Sequence, residues 1–210
     1  METSAFFVAF VTLFATVGVA DIAFIFAALT KDHTAAERRL FATRGVLIAL
    51  VILIFFAFLG NTILDVFGIT IPALRTAGGI LLLLIAIDMV FARHSGGTGT
   101  TDEEEAEARR ASDISVYPLA MPLMAGPGAI SAVILLSTGA TTDVDFWLVI
   151  AAVVLVLALA WITLLVAMPI QRLLGLTGLS VLSRVIGILL AALAVQFVFD
   201  GIRTSGLLGA

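Results

Sequence analysis

Residues 118 to 131 read Pro-Leu-Ala-Met-Pro-Leu-Met-Ala-Gly-Pro-Gly-Ala-Ile-Ser, inside an otherwise apolar segment. Pro127 donates no backbone hydrogen bond and its ring crowds the carbonyl of Leu123, while Gly126 and Gly128 beside it leave helical dihedrals freely. A regular helix is expected to break here. In water such a break is an ordinary turn; in hydrocarbon each unpaired amide or carbonyl costs several kcal/mol unless protein or a wet cavity satisfies it. The meaning of the stretch therefore depends on whether it lies in a membrane.

Composition answers that. The chain has 210 residues, 61% hydrophobic and 12% charged, with a mean hydropathy of +1.21. Apolar runs long enough to cross about 30 Å of hydrocarbon recur along it, near 5 to 29, 45 to 64, 69 to 92, 117 to 137, 146 to 168 and 179 to 201. The expected fold class is an all-α membrane protein, one six-span helical bundle. The runs lack the period-2 alternation of a membrane barrel. Residues 1 to 4 carry Glu2 and no Lys or Arg, unlike the basic leader of a signal peptide, so the first span is expected to be retained.

The same inventory narrows the chemistry. There is no cysteine, hence no thiolate nucleophile and no Cys-based metal site. His33 and His94 both fall in loops, so neither intramembrane hydrolysis nor a zinc site is expected, and no cofactor is implied. The basic residues are few and dispersed, which argues against nucleic acid. An enzyme is not expected; the lipid bilayer is the expected partner, and a homo-oligomer is left open.

Lys and Arg in short loops set orientation. Lys31, Arg38, Arg39, Arg44, Arg93, Arg109, Arg110, Arg172 and Arg184 fall on one side, Arg75 and Arg203 on the other. The basic side is expected in the cytoplasm, with both termini outside. Tyr117 and Trp147, at the starts of the fourth and fifth spans, suit interfacial anchoring. Residues 93 to 116 form a polar, acidic linker through Asp102 and Glu107, read as a solvated connection between repeat 1 (5–92) and repeat 2 (117–203) of a single domain.

Internal repetition supports that division. A shift of 108 places Gly18 on Gly126, Thr30 on Thr138, Val46 on Val154 and Leu47 on Leu155. Phe-Gly-Ile-Thr at 67–70 parallels Leu-Gly-Leu-Thr at 174–177, and Gly-Ile-Leu-Leu at 79–82 recurs at 187–190. Repeats of three spans return with opposite orientation, the inverted plan of many secondary transporters, whose sites lie at the midplane among broken helices. Counted from Tyr117, Pro127 lies about 15 Å deep, half the hydrocarbon thickness.

The runs Phe-Gly-Ile-Thr-Ile-Pro-Ala-Leu-Arg-Thr-Ala-Gly-Gly-Ile-Leu-Leu-Leu-Leu-Ile-Ala-Ile-Asp-Met at 67–89 and Pro-Leu-Ala-Met-Pro-Leu-Met-Ala-Gly-Pro-Gly-Ala-Ile at 118–130 resemble the MarC family of six-span prokaryotic membrane proteins, over nearly the whole chain. The family is grouped with neutral amino acid transporters, because a few members move small neutral amino acids. The resemblance implies a transporter of the cytoplasmic membrane with its substrate open. In one place the chain departs from the pattern: where the family usually carries Asp or Asn, Pro, any residue, then Gly, this sequence has Gly18, Val19, Ala20 and Asp21. The missing proline leaves open whether the first span breaks.

The candidate solute site comprises Gly126, Pro127 and Gly128, with Gly18 as repeat counterpart, Pro122 upstream and Asp21. An acid as deep as Asp21 costs at least ~2.5 kcal/mol unless paired or protonated. It reads either as coupling proton or cation movement and holding a substrate ammonium, or as a structural partner of Arg75 or Arg184. Those arginines read first as snorkelling or pairing residues and second as a carboxylate clamp. Asp88 is expected to pair with Arg93; Gln196, Asn61 and Asp200 are weak hydrogen-bonding positions; Gly78 and Gly79 join Arg75, Arg184, Asp88 and Gln196 as coupling or support positions; Trp161 reads as packing. The competing functional readings are a non-transporting scaffold acting through the acidic loop, and a passive channel.

Overall fold

The computed structural model describes residues 2–31, 33–91 and 113–206, and within them not the side chains of 2–5, 20, 24, 28, 170–180, 182 and 183. Among these residues every regular element is helical: α1 (Glu2–Thr16), α2 (Val19–Leu29), α3 (Ala35–Phe67), α4 (Ile71–Phe91), α5 (Ser115–Met124), α6 (Pro127–Thr138), α7 (Asp143–Leu165) and α8 (Ala167–Thr204). Five segments, Phe6–Ala27, Ala35–Phe67, Ile71–Phe91, Asp143–Leu165 and Arg184–Thr204, are long and apolar enough to cross a membrane, and α5 with α6, bent by 55°, makes a sixth. Five of the expected spans are thus candidate membrane spans among the described residues, and the fourth is one if the bent pair counts as a single span. Most of the acidic linker, with Arg93 and the expected Asp88–Arg93 pair, lies outside the described residues.

Two of the helices, α3 and α7, start where short polar side chains take up first-turn amides. Thr34 opens α3: its hydroxyl accepts from the Glu37 amide at 3.3 Å, and Glu37 Oε2 accepts from the Thr34 amide at 2.8 Å. Thr142 and Asp145 repeat that reciprocal pair at the head of α7, at 3.1 and 3.2 Å. The two boxes stand 108 residues apart. Helix α3 ends at Gly68, whose left-handed φ of 65° lets Ile69 N–H reach the Leu64 carbonyl at 2.9 Å.

Packing is inverted relative to a soluble bundle. On α3 the buried stripe is mostly small, Ala42, Gly45, Ala49, Leu53, Ala57 and Gly60, while Leu47, Val51, Phe55 and Phe58 face outward. Lipid tails are as apolar as leucine, so burial of large side chains gains little. Close backbone approach and dispersion hold the helices instead. At one end of α3 and α7, Phe58, Phe146 and Trp147 form an edge-to-face cluster with centroids 5.1 to 6.3 Å apart, an aromatic anchor suited to the headgroup level.

The topology is interlocked. Helices α1 and α2 pack on α7 and α8, α5 and α6 pack on α3 and α4, and α3 meets α7 while α4 meets α8. Each broken span thus sits against the opposite half of the chain. The α4–α8 contact is antiparallel: a Cβ at Gly79 would stand 2.7 Å from the Ala194 carbonyl, and one at Gly187 would stand 3.2 Å from that of Ala86.

Candidate functional site at two broken spans

The first span does break, without a proline. Gly18 adopts φ 64°, ψ 44°, a left-handed conformation that costs other L-residues roughly 1–2 kcal/mol. Helix α1 closes with Val17 N–H on the Leu13 carbonyl at 2.9 Å, and α2 opens with Ile22 N–H on the Gly18 carbonyl at 2.9 Å. The expectation that a missing proline endangers the break is answered by glycine alone. Among the described residues, a Cβ at Gly18 would meet nothing within 4 Å.

The fourth span breaks over a longer stretch than expected. In place of a helix running from Tyr117 to the Gly-Pro-Gly motif, α5 is a ten-residue helix interrupted twice. Tyr117 (φ −129°, ψ 126°) and Met121 (φ −132°, ψ 127°) are extended, because a proline at the next position crowds helical dihedrals. Both Tyr117–Pro118 and Met121–Pro122 peptides are cis. Bonds of the i to i+5 kind bracket the segment, Leu119 N–H to Ile114 O at 3.1 Å and Ala125 N–H to Ala120 O at 2.8 Å. Gly126 then caps α6 in an extended conformation (φ −74°, ψ 175°), with Pro127 in the first turn, where its missing N–H is lost to no partner.

Both breaks therefore present a helix N-terminus. The first-turn amides, Val19 to Asp21 in α2 and Gly128 and Ala129 in α6, have no acceptor within their own helices, and the dipole gives each end partial positive character. With 11 and 12 residues, α2 and α6 are about 16 and 18 Å long, roughly half the hydrocarbon layer. Gly126 and Gly128 are buried, Pro122 half-buried and Pro127 exposed. Asp21, half-buried, stands in the first turn of α2, where the dipole favours its charge, and it has a partner within the protein.

The arginines and other polar candidates lie elsewhere. Arg75 Nη2 is 3.3 Å from the position of a Cβ on Gly139, beside the last carbonyls of α6. It faces the negative end of that helix, a full α6 length of about 18 Å from Gly126. Arg184, Gln196 and Asn61 are exposed. Asp200 pairs with Arg203 at 3.2 Å, and Asp88 is engaged by a partner. Gly78 rests on Leu135 and Gly79 on the backbone of α8. Trp161 does more than pack: its Nε1–H donates to Thr43 Oγ1 at 3.0 Å, joining α7 to α3. Among the described residues, no three His, Asp or Glu side chains converge as a metal site would require.

Two contacts that sequence reasoning missed fasten α5. Arg44 Nη1 lies 3.1 Å from Asp113 Oδ2, and Asp113 Oδ1 accepts from the Ser115 amide at 2.8 Å. Hydrogen bonding to Ser115, and then Arg44, holds the Asp113 carboxyl below its usual range. A depressed pKa means that this contribution is complete above the ordinary carboxylate range and is lost only as pH falls through the lowered value. Beside Arg44, Gly45 has no side chain, and Leu119 fills the notch: a Cβ there would stand 2.6 Å from Leu119 Cδ2 and 3.2 Å from the Ser115 carbonyl.

Comparison with known proteins places these features in a family. The model of the MarC family of integral membrane proteins matches residues 3–205. This chain belongs to the MarC family. It is 38% identical over 203 residues to the UPF0056 membrane protein MJ1677 of Methanocaldococcus jannaschii, covering 97% of this chain and 98% of that one. It is 40% identical over 205 residues to a UPF0056 membrane protein of Archaeoglobus fulgidus (95% and 92%) and 37% identical over 198 residues to YhcE of Escherichia coli (94% and 92%). No solved structure matches. Like these relatives, the MarC protein here is a multi-pass integral membrane protein. Within its bundle, the two mid-span breaks are where backbone polar groups are left to something other than their own helix.

Proposed function

We propose that this protein is a secondary transporter of small polar solutes, neutral amino acids foremost, and that it works by alternating access to a midplane site beside Gly18 and Gly126–Pro127–Gly128. One observation carries the reading: two short helices of matched length, α2 and α6, begin at interruptions 108 residues apart in sequence, which the length of the spans would put near mid-bilayer. Backbone of this kind is tolerated at membrane depth only when protein or a wet cavity satisfies it, and half-helix N-termini of this sort face substrate groups in inverted-repeat transporters.

Support for an inverted repeat comes from reciprocity. Gly79 abuts Ala194 and Val198, while Gly187 abuts Ala86 and Val90; each residue is replaced by its partner 108 positions on. Thr30 donates to the Phe26 carbonyl at 2.7 Å and Thr138 to that of Ile134 at 2.7 Å, again 108 apart. Such mutual exchange is the signature of a two-fold relation. With the arginine bias, it favours a chain in the cytoplasmic membrane of a prokaryote, with both termini outside.

Labelled neutral amino acids offered to proteoliposomes, with and without a pH gradient, test the proposal. Saturable uptake and exchange are expected; flux proportional to concentration points to a channel, and no flux for any small polar solute removes the transport reading. Replacing residues 95 to 112 by a Gly/Ser linker should leave uptake largely intact, because the interlocked halves hold each other, whereas a scaffold acting through the acidic loop loses its function. In Asp21→Asn, uptake should lose its response to pH while binding persists. An unchanged pH profile removes Asp21 from coupling.

A further inference from the structure

The two halves differ in one respect that bears on how the midplane site is reached. On one side the path is flanked by α1, a regular helix whose Thr12 and Thr16 hydroxyls bond back to their own turns. On the other it is flanked by α5, whose backbone departs from helical dihedrals twice in ten residues. From the transport reading above, and resting on it, we propose that α5 is a lid over the basic end of the path: it swings about Ala125–Gly126, is seated at Gly45 and is latched by Arg44–Asp113.

Each part has a physical reason. The inner face of α5, Pro118, Leu119, Ala120, Leu123 and Met124, is buried while Val116, Tyr117 and Met121 are exposed, so α5 covers what lies beneath it. Its seat is a notch rather than interdigitated side chains, because Gly45 offers only backbone to Leu119 and Ser115. A notch releases without rotamer changes in a packed neighbour. The latch is an ion pair with side chains 56% and 42% exposed; solvent-exposed pairs of this kind are weak and break readily. Between lid and α6, Ala125 and Gly126 lie outside both helices, and the 55° bend falls there.

The chain has no cysteine, so single engineered thiols report without background. Leu123→Cys, 7% exposed in the closed arrangement, is reacted with a hydrophilic maleimide in nanodiscs, where both faces are accessible and no solute is needed. Labelling should quicken about two- to fivefold when Arg44→Gln or Asp113→Asn removes the latch, since it tracks the open population. Gly45→Val, which fills the notch, should quicken it further. The exchanged pair Arg44→Asp with Asp113→Arg should restore the slow rate. Leu164→Cys, buried on α7, serves as control in the same backgrounds and should stay slow. Unchanged labelling at 123 overturns the lid, as does equal acceleration at 164, which means the bundle loosened as a whole. Because the readout uses no transport, a lid without uptake, or uptake without a lid, separates this inference from the functional reading.

Discussion

Alanine at Gly126 should destabilise the protein by about 1–3 kcal/mol, as forced overpacking does, and abolish uptake while the chain still inserts. The dihedrals are not the obstacle: φ −74°, ψ 175° suits any residue. The obstacle is the Pro122 carbonyl oxygen, which a Cβ at 126 would overlap. That oxygen is backbone and has no rotamer to give, so α5 and α6 must part at the bend. Its repeat counterpart should behave in the opposite way. At Gly18 there is open space for a Cβ, and the cost of Gly18→Ala is conformational, roughly 1–2 kcal/mol for a left-handed L-residue. Gly18→Asn should recover part of it, because asparagine tolerates that region; Gly126→Asn should recover nothing. Thermal unfolding in detergent beside proteoliposome uptake reads both. If Gly126→Ala unfolds and transports like the parent chain, the bend does not depend on the close approach of the Pro122 carbonyl to a residue without a side chain.

Much of this was legible in the residues. Five of the six apolar runs became single candidate spans and the fourth a bent pair of helices, since a helix is the economical way to satisfy backbone groups across lipid. The Gly-Pro-Gly motif announced the fourth-span break, and the recurrence of Gly18 at Gly126 and of Thr30 at Thr138 pointed to equivalent positions. The capping boxes at Thr34–Glu37 and Thr142–Asp145 were equally readable, as a threonine followed three residues later by an acid, and strengthen the same register. So was the irregularity of α5, because Tyr117 and Met121 each precede a proline. Other features depend on partners distant in sequence. Nothing local says that Gly45 must be bare for Leu119, that Trp161 finds Thr43, or that Arg75 meets the end of α6. Those follow only once the helices are placed.

The adjacent glycines 78 and 79 separate a close backbone contact from an ordinary one within one turn of α4. Gly79→Ala should cost up to about 3 kcal/mol: its Cβ would stand 2.7 Å from the Ala194 carbonyl and 2.9 Å from the Val198 amide, both part of a neighbouring helix that can yield only by moving away. Gly78→Ala meets only Leu135 Cδ2, at 3.4 Å, an ordinary contact, and should be nearly neutral. Gly187→Ala falls between, with Met89 Cβ at 2.9 Å and the Ala86 carbonyl at 3.2 Å. Once either alanine has spread α4 from α8, the second meets an interface already opened, so the double variant should lose less than the two single losses combined. Unfolding midpoints of the four proteins give the ranking. Because α4 and α8 form the contact through which the halves exchange equivalent residues, Gly79→Leu should go beyond a lowered midpoint and prevent the halves from assembling, leaving protein that inserts but aggregates on extraction. A monodisperse, fully stable Gly79→Leu protein means that the two helices do not touch through this face, and the proposed two-fold relation between the halves falls with them.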